Sequence, residues 1–111
     1  MDPEYRTFVI RSASSTRFIP ESEVLWIESV RQYVRLHLAD ECALYRYRMR
    51  DLERELTDRF VRIHRSYLVR KDLVRELRRG NNGRYRVHLA CGEDLPVGDS
   101  YLRSTRIGLG A

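Results

Sequence analysis

The side chains best placed to do chemistry in this sequence are His64, Arg65 and Ser66. They form a basic, hydrogen-bonding triplet between two apolar runs, Phe60, Val61 and Ile63 before it and Tyr67, Leu68 and Val69 after it. A guanidinium can make two parallel hydrogen bonds to guanine O6 and N7, or contact a phosphate, so Arg65 suits recognition of a base edge or an anion. His64 either shares in that recognition or caps backbone groups of the turn; Ser66 either bonds a phosphate or bonds its own backbone. The amide of Gln32 can pair with adenine N6 and N7, or serve as an ordinary loop amide. Catalysis lacks its parts. His37, His64 and His88 sit apart without metal-ligand spacing, no glycine-rich phosphate loop precedes a helix, and no Ser or Cys lies in a nucleophile elbow. The expectation is a binding protein, not an enzyme, with no cofactor and no metal.

Charge points the same way. Lys and Arg number 21 against 16 acids, all but one of the 21 being Arg, for a formal charge of +5 and a pI near 9.6. Such a balance attracts anionic partners at long range, and the planar arginine fork fits phosphates and guanine better than lysine does. The same composition also describes a solvated, ion-paired surface, so charge alone names no partner. Cys42 and Cys91 are far apart and lack metal spacing, as in a reduced intracellular chain. No apolar run reaches the length of about 20 residues that a bilayer requires, and the first residues lack a signal peptide's apolar segment; a soluble, cytoplasmic protein is expected.

The 111 residues suit one domain, 1–111, with a single core and frayed ends at 1–4 and 108–111. Residues 5–10 read as a first strand, with Arg17, Phe18 and Ile19 as its hairpin partner and Pro20 closing it. Residues 24–29 are apolar on both faces, which predicts a central, covered strand anchored by Trp26. After a turn at Arg31 and Gln32, strict alternation begins: Val34, Leu36 and Leu38 face the core, while Tyr33, Arg35 and His37 make a basic face. Residues 43–48 supply another strand. Met49, Leu52 and Leu56 then recur at helical spacing, with Asp51, Glu53 and Glu55 able to pair with Arg50, Arg54 and Arg59. The run Gly80-Asn81-Asn82-Gly83 is the strongest turn signal, because Gly and Asn tolerate the left-handed backbone of a tight hairpin; residues 84–90 return as its second strand. Leu95, Pro96 and Val97 follow another turn, and from Asp99 a last helical turn or two can pack through Tyr101, Leu102 and Ile107. Short strands with turns every eight to twelve residues and one clear helix indicate a mainly β fold.

The stretch 60–70, FVRIHRSYLVR, resembles almost residue for residue the F-V-R-I-H-R-S-x-L-V signature of the LytTR family, non-helical DNA-binding domains of bacterial transcription regulators. The likeness runs from about Arg17 to Tyr101. Val24-Leu25-Trp26-Ile27-Glu28 and Tyr33-Val34-Arg35-Leu36-His37 are similar to the family's "V-x-W/Y-I-E" and "Y-V-x-L-H" elements. Residues 49–56 look like its "L-x-x-L-E-x-x-L" helix, Val74-Arg75-Glu76-Leu77 its "I-x-E-L", residues 83–92 its "G-x-Y-x-V-x-L-x-x-G" hairpin, and Leu95-Pro96-Val97 its closing "L-P-V". The resemblance implies about ten short strands in small, roughly parallel-stacked sheets with one or two short helices, and double-stranded DNA contacted by loops that enter successive major grooves. It carries DNA binding onto Arg31, Gln32 and Tyr33, onto His64, Arg65 and Ser66, and onto Gly98, Asp99 and Ser100. There the sequence departs from the family's Ser-Arg: Asp99 repels phosphate, and Arg103, one helical turn on, can compensate. The resemblance further implies a dimer on repeated sites and an N-terminal receiver or sensor domain.

Two other readings use the same residues. A single-stranded nucleic-acid binder would employ Tyr33, Tyr45 and Tyr47 as stacking platforms. A basic protein-interaction module would dock an acidic partner along an edge strand. In either duplex or single-strand binding, Arg35, Arg46, Arg48 and Arg62 are candidate phosphate contacts, while Trp26, Phe60, Tyr67 and Tyr85 read as packing residues.

Overall fold

Alternating side chains along short strands put two apolar faces on one sheet, and both faces are covered. The computed structural model describes residues 6–56 and 58–111. The middle sheet has five strands: β3 (Trp26–Val30), β4 (Tyr33–His37), β5 (Cys42–Tyr45), β6 (Phe60–His64) and β7 (Tyr67–Arg70). Their order is β5-β4-β3-β7-β6, every neighbouring pair antiparallel. A separate hairpin joins β1 (Thr7–Arg11) to β2 (Thr16–Pro20), and a three-stranded sheet joins β8 (Val74–Arg79), β9 (Tyr85–Leu89) and β10 (Asp94–Pro96). Helices α1 (Met49–Glu55) and α2 (Leu102–Leu109) complete the mainly β architecture. The expected strands at Trp26 and Tyr33 and the hairpin around residues 80–83 are all present. Tyr5, the start of the expected first strand, and Thr57, beyond α1, lie outside the described residues.

Buried residues form two clusters instead of the single core expected. Ile27, Val34, Leu36 and Leu68 point to one face, where Phe8 and Ile19 of the β1–β2 hairpin and Leu52 of α1 cover them. Trp26, Val61, Ile63 and Val69 point to the other, against Val87, Leu89 and Leu95 of the small sheet and Leu102 and Leu109 of α2. The reason is the two-residue period of a strand: in a central strand, adjacent residues such as Trp26 and Ile27 serve opposite faces. Each fully buried Leu or Ile contributes about 1.5–3 kcal/mol, so neither cluster is dispensable.

Several local expectations change with tertiary packing. The strand through residues 43–48 ends at Tyr45. Two acids of α1 pair outside the helix: Glu53 with Arg62 at 2.6 Å, and Glu55 with Arg6 and the Tyr47 hydroxyl. The basic face of β4 is offset by Glu28, whose Oε1 lies 3.1 Å from both Arg35 Nη1 and His37 Nε2.

The C-terminal segment is ordered into α2 through Leu109, although its small residues suggest a loose end. At Gly108 the helix lies so close to β6 that a Cβ would stand 2.7 Å from Val61 Cγ2. Gly110 closes the helix with a left-handed backbone, φ 77°. Thr105 is the residue this helix buries, while Ile107 is left 70% exposed. Both cysteines are free and exposed.

Candidate nucleic-acid interface

Three connections meet at one end of the five-stranded sheet, two of them brought there by its antiparallel pairing. Between β3 and β4, Val30 pairs with Tyr33, leaving Arg31 and Gln32 as a two-residue turn. A turn this short needs left-handed backbone, and Arg31 supplies it with φ 57°, the only positive φ of a non-glycine among the described residues. Arg31, Gln32 and Tyr33 are all exposed. Because Val34 pairs with Tyr45, β5 ends beside this turn, and Arg46, Tyr47 and Arg48 line a shallow depression together with Arg31 and Gln32.

Next along the same end comes the β6–β7 turn. His64 pairs with Tyr67, so Arg65 and Ser66 form the tip, and a bulge between Arg62 and His64 re-aims the chain just before it. His64 Nδ1 accepts the Ser66 N–H at 3.0 Å, which makes His64 a cap for the turn. Burial lowers the His64 pKa below its ordinary value, and the positive charges of Arg65 and Arg62 lower it further. The neutral ring therefore keeps its Nδ1 lone pair for Ser66 and its proton on Nε2. The Ser66 carbonyl in turn accepts the Ser29 N–H at 2.8 Å, which ties this turn to β3 two residues before Arg31. Arg65 itself is exposed.

The third connection is the one after β10. Gly98 donates its N–H to the Ile63 carbonyl at 2.8 Å, and a Cβ at Gly98 would meet the Tyr101 ring at 3.2 Å and the His64 ring at 3.6 Å. A Cβ would thus be in ordinary contact with the turn, and it is the Tyr101 ring that it would crowd. Asp99 and Ser100 follow, both exposed, and Asp99 shares a second depression with Arg103 on α2. Sequence reasoning missed one contributor. Asn82 and Arg84 of the β8–β9 hairpin line a concavity with His64, Gly98 and Asp99, the Asn82 side chain accepting the Arg84 N–H at 3.0 Å. The 80–83 turn signal located the hairpin, but nothing in the local sequence says where its tip points.

Electrostatics separates the arginines into two groups. Arg31, Arg46, Arg48, Arg65 and Arg84 are exposed and make no side-chain hydrogen bond or ion pair among the described residues. Arg35 is held by Glu28, and Arg62 is tied to Glu53 and to the turn carbonyls, so both expected phosphate contacts are already engaged. The aromatic inventory is engaged too. Tyr45 and Tyr47 stack on each other, ring centroids 5.2 Å apart, with Arg6 against both rings. Trp26 is stacked on His37 and buried. Of the three candidate stacking tyrosines only Tyr33 offers an open face, 40% exposed.

Comparison with known proteins places this geometry. The LytTr DNA-binding domain profile matches residues 14–108. The CO-responsive transcriptional regulator RcoM of Rhodospirillum rubrum is 31% identical over 94 residues, 83% of this chain and 40% of that protein. The positive alginate biosynthesis regulatory protein of Pseudomonas aeruginosa is 33% identical over 98 residues, 86% of this chain and 40% of that protein. The chain therefore spans less than half the length of these relatives. A solved LytTr DNA-binding domain, from a Bacillus cereus protein described as a methyl-accepting/DNA response regulator, superposes with a TM-score of 0.82 at 22% identity, covering 95% of this chain and 97% of that one.

Proposed function

Because the chain belongs to the LytTr DNA-binding domain family, we propose that it binds double-stranded DNA sequence-specifically through the turn-bearing end of its five-stranded sheet, as the output domain of a bacterial transcription regulator. The observation that carries this reading is the set of exposed arginines gathered there, whose guanidinium groups have no hydrogen-bond or ion-pair partner among the described residues. Arg31, Arg46, Arg48 and Arg65 span the ends of neighbouring strands, and a strand spacing of about 4.8 Å makes the five-strand edge roughly 19 Å across. A duplex major groove is about 12 Å wide, so a turn tip can enter it while arginines on either side reach the flanking phosphates. In this arrangement Arg65 reads guanine and Gln32 reads adenine, whereas Arg31, Arg46 and Arg48 position the duplex through its backbone. Tyr33, His64 and Ser66 support the two turns, and Ser100 and Arg103 lie alongside. Asp99 lowers the phosphate affinity of that flank. The engaged state of Tyr45 and Tyr47 favours a duplex over a single-strand stacking surface.

The curated relatives are both named as regulators, which supports the output role. The proposal extends to pairing of two copies on repeated sites, a receiver or sensor domain on the N-terminal side, action as one domain over residues 1–111 and a cytoplasmic location. No helix among the described residues is long and apolar enough to cross a membrane.

Selection from a random duplex library, with the enriched sites re-measured at two salt concentrations beside a single-stranded control, tests the proposal. A repeated motif whose advantage over random duplex survives added salt supports it. Uniform binding that disappears with salt, or a preference for single strands, overturns it. Replacing Arg46 or Arg48 with Ala should weaken all duplexes alike and reduce the salt slope by about one each.

A further inference from the structure

Arg62 lies three residues before Arg65 in the same basic run, yet its guanidinium faces inward. Its side chain is 11% exposed. Nε donates to the His64 carbonyl at 2.8 Å and Nη2 to the Arg65 carbonyl at 2.5 Å, while Nη1 meets Glu53 of α1 at 2.6 Å. The guanidinium carbon stands 5.4 Å from the Tyr101 ring centroid, and the Arg62 carbonyl accepts the Thr105 hydroxyl at 3.4 Å. All three guanidinium nitrogens are thus committed, two of them to adjacent carbonyls of one turn.

We infer that Arg62 is a positioning residue: its fork clamps the backbone of the 64–66 turn and thereby sets the direction in which Arg65 leaves it. This rests on the reading that Arg65 contacts a base. The physical case has two parts. Carbonyl oxygens at a hairpin tip carry partial negative charge, and at a surface meant for phosphates an uncovered pair would repel the ligand; the guanidinium covers both. The planar fork also fixes the two peptide planes relative to each other, which a lysine ammonium cannot do. Glu53 and the Tyr101 ring then hold the guanidinium from α1 and from the segment leading into α2, so the turn is braced by elements on both faces of the sheet. A base-reading side chain needs this kind of bracing, because small errors in its direction forfeit a bidentate contact.

The test compares Arg62→Lys, Arg65→Ala and the double variant in duplex selection and in affinity measured against salt. Arg62→Lys keeps the charge and removes the fork. It should flatten the preference at the same base position as Arg65→Ala, lower specific affinity about tenfold, leave the salt slope unchanged, and add little once Arg65 is gone. Losses that multiply in the double variant, or an affinity loss spread over all duplexes alike with the base profile intact, would make Arg62 an independent contact of the DNA backbone and overturn the inference. Should Arg62→Lys fail to fold, Glu53→Gln at an exposed acid asks the same question: a weakened preference at that one base position supports the clamp, and an unchanged profile overturns it. A wild-type profile flat at every position, by contrast, overturns the base-reading role of Arg65 itself, and the clamp falls with it.

Discussion

Arg65 and Arg70 belong to one short run of sequence and stand at opposite ends of β7, yet they have nothing in common beyond their side chain. Arg65 is exposed at the turn-bearing end, and its guanidinium makes no hydrogen bond or ion pair among the described residues. Arg70 is 7% exposed; its Nε donates to the Val24 carbonyl at 3.0 Å and its Nη2 to the Glu21 carbonyl, with the guanidinium over the Phe60 ring. One end of the sheet spends its arginine on closing the fold, the other leaves its arginines open for an anion. A basic run is therefore not one functional unit: the strand direction decides which end of the sheet each arginine reaches, and the neighbours there decide its role.

Breaking the closed end should cost the most. Arg70→Met keeps the apolar stem but takes the donor from the Val24 carbonyl and leaves the Glu21 carbonyl with the Val24 N–H alone, and should lower unfolding free energy by about 3 kcal/mol, seen as a lower denaturant midpoint with an unchanged slope. A loss under about 0.5 kcal/mol would remove Arg70 from the closing role. The open end should respond in the opposite manner. Arg65→Ala should change stability by no more than about 0.5 kcal/mol while weakening specific DNA affinity by roughly 1–3 kcal/mol and blurring one base position. A large stability loss there would erase the contrast between the two ends.

A sharper version uses Arg31. Its positive φ strains a side-chain-bearing residue, so Arg31→Gly should raise stability by about 0.5–1 kcal/mol and at the same time weaken DNA binding. Stability and affinity moving in opposite directions in one variant would show that the open end accepts strain for the sake of its ligand; moving together, they would make Arg31 an ordinary turn residue.

The smallest effect should be that of pH on the cap between the two turns. The folded His64 pKa lies below the unfolded value of about 6.5. The unfolded chain therefore takes up this proton first as pH falls, so the stabilisation from His64 is present above that value and declines below it. The thermal midpoint of the wild type should fall more steeply between pH 7 and 5 than that of His64→Asn, whose Oδ1 can accept the Ser66 N–H at either pH. Parallel curves for the two proteins would exclude His64 as the titrating cap.

Much of this molecule is legible along the chain. Val34 and Leu36 against Arg35 and His37 mark β4; Trp26 beside Ile27 marks a strand covered on both sides; the 80–83 run marks a hairpin. These are local consequences of strand periodicity and turn chemistry, and they hold whatever packs above and below. The likeness of residues 60–70 to a family signature likewise needed only the order of side chains. Local pattern also singled out two of the turns at the open end, around Arg31 and around Arg65.

What the chain order left undecided depends on contacts between distant residues. A strand with two apolar faces can sit in one core or between two, and only the placement of the β1–β2 hairpin, the small sheet and the helices divides the buried residues into two clusters. The same holds for α2, where the apolar Ile107 is exposed and Thr105 is buried because Gly108 brings the helix down on Val61. Arg62, Arg65 and Arg70 look alike in sequence; a salt bridge to Glu53, open solvent and two buried carbonyls make them different. Arg84 joins the open end through the tip of a distant hairpin. Residue type and spacing determined the strands and the turns that can present a guanidinium. Tertiary structure alone decided which guanidinium is presented, because that depends on which charges and carbonyls the fold brings within hydrogen-bonding reach.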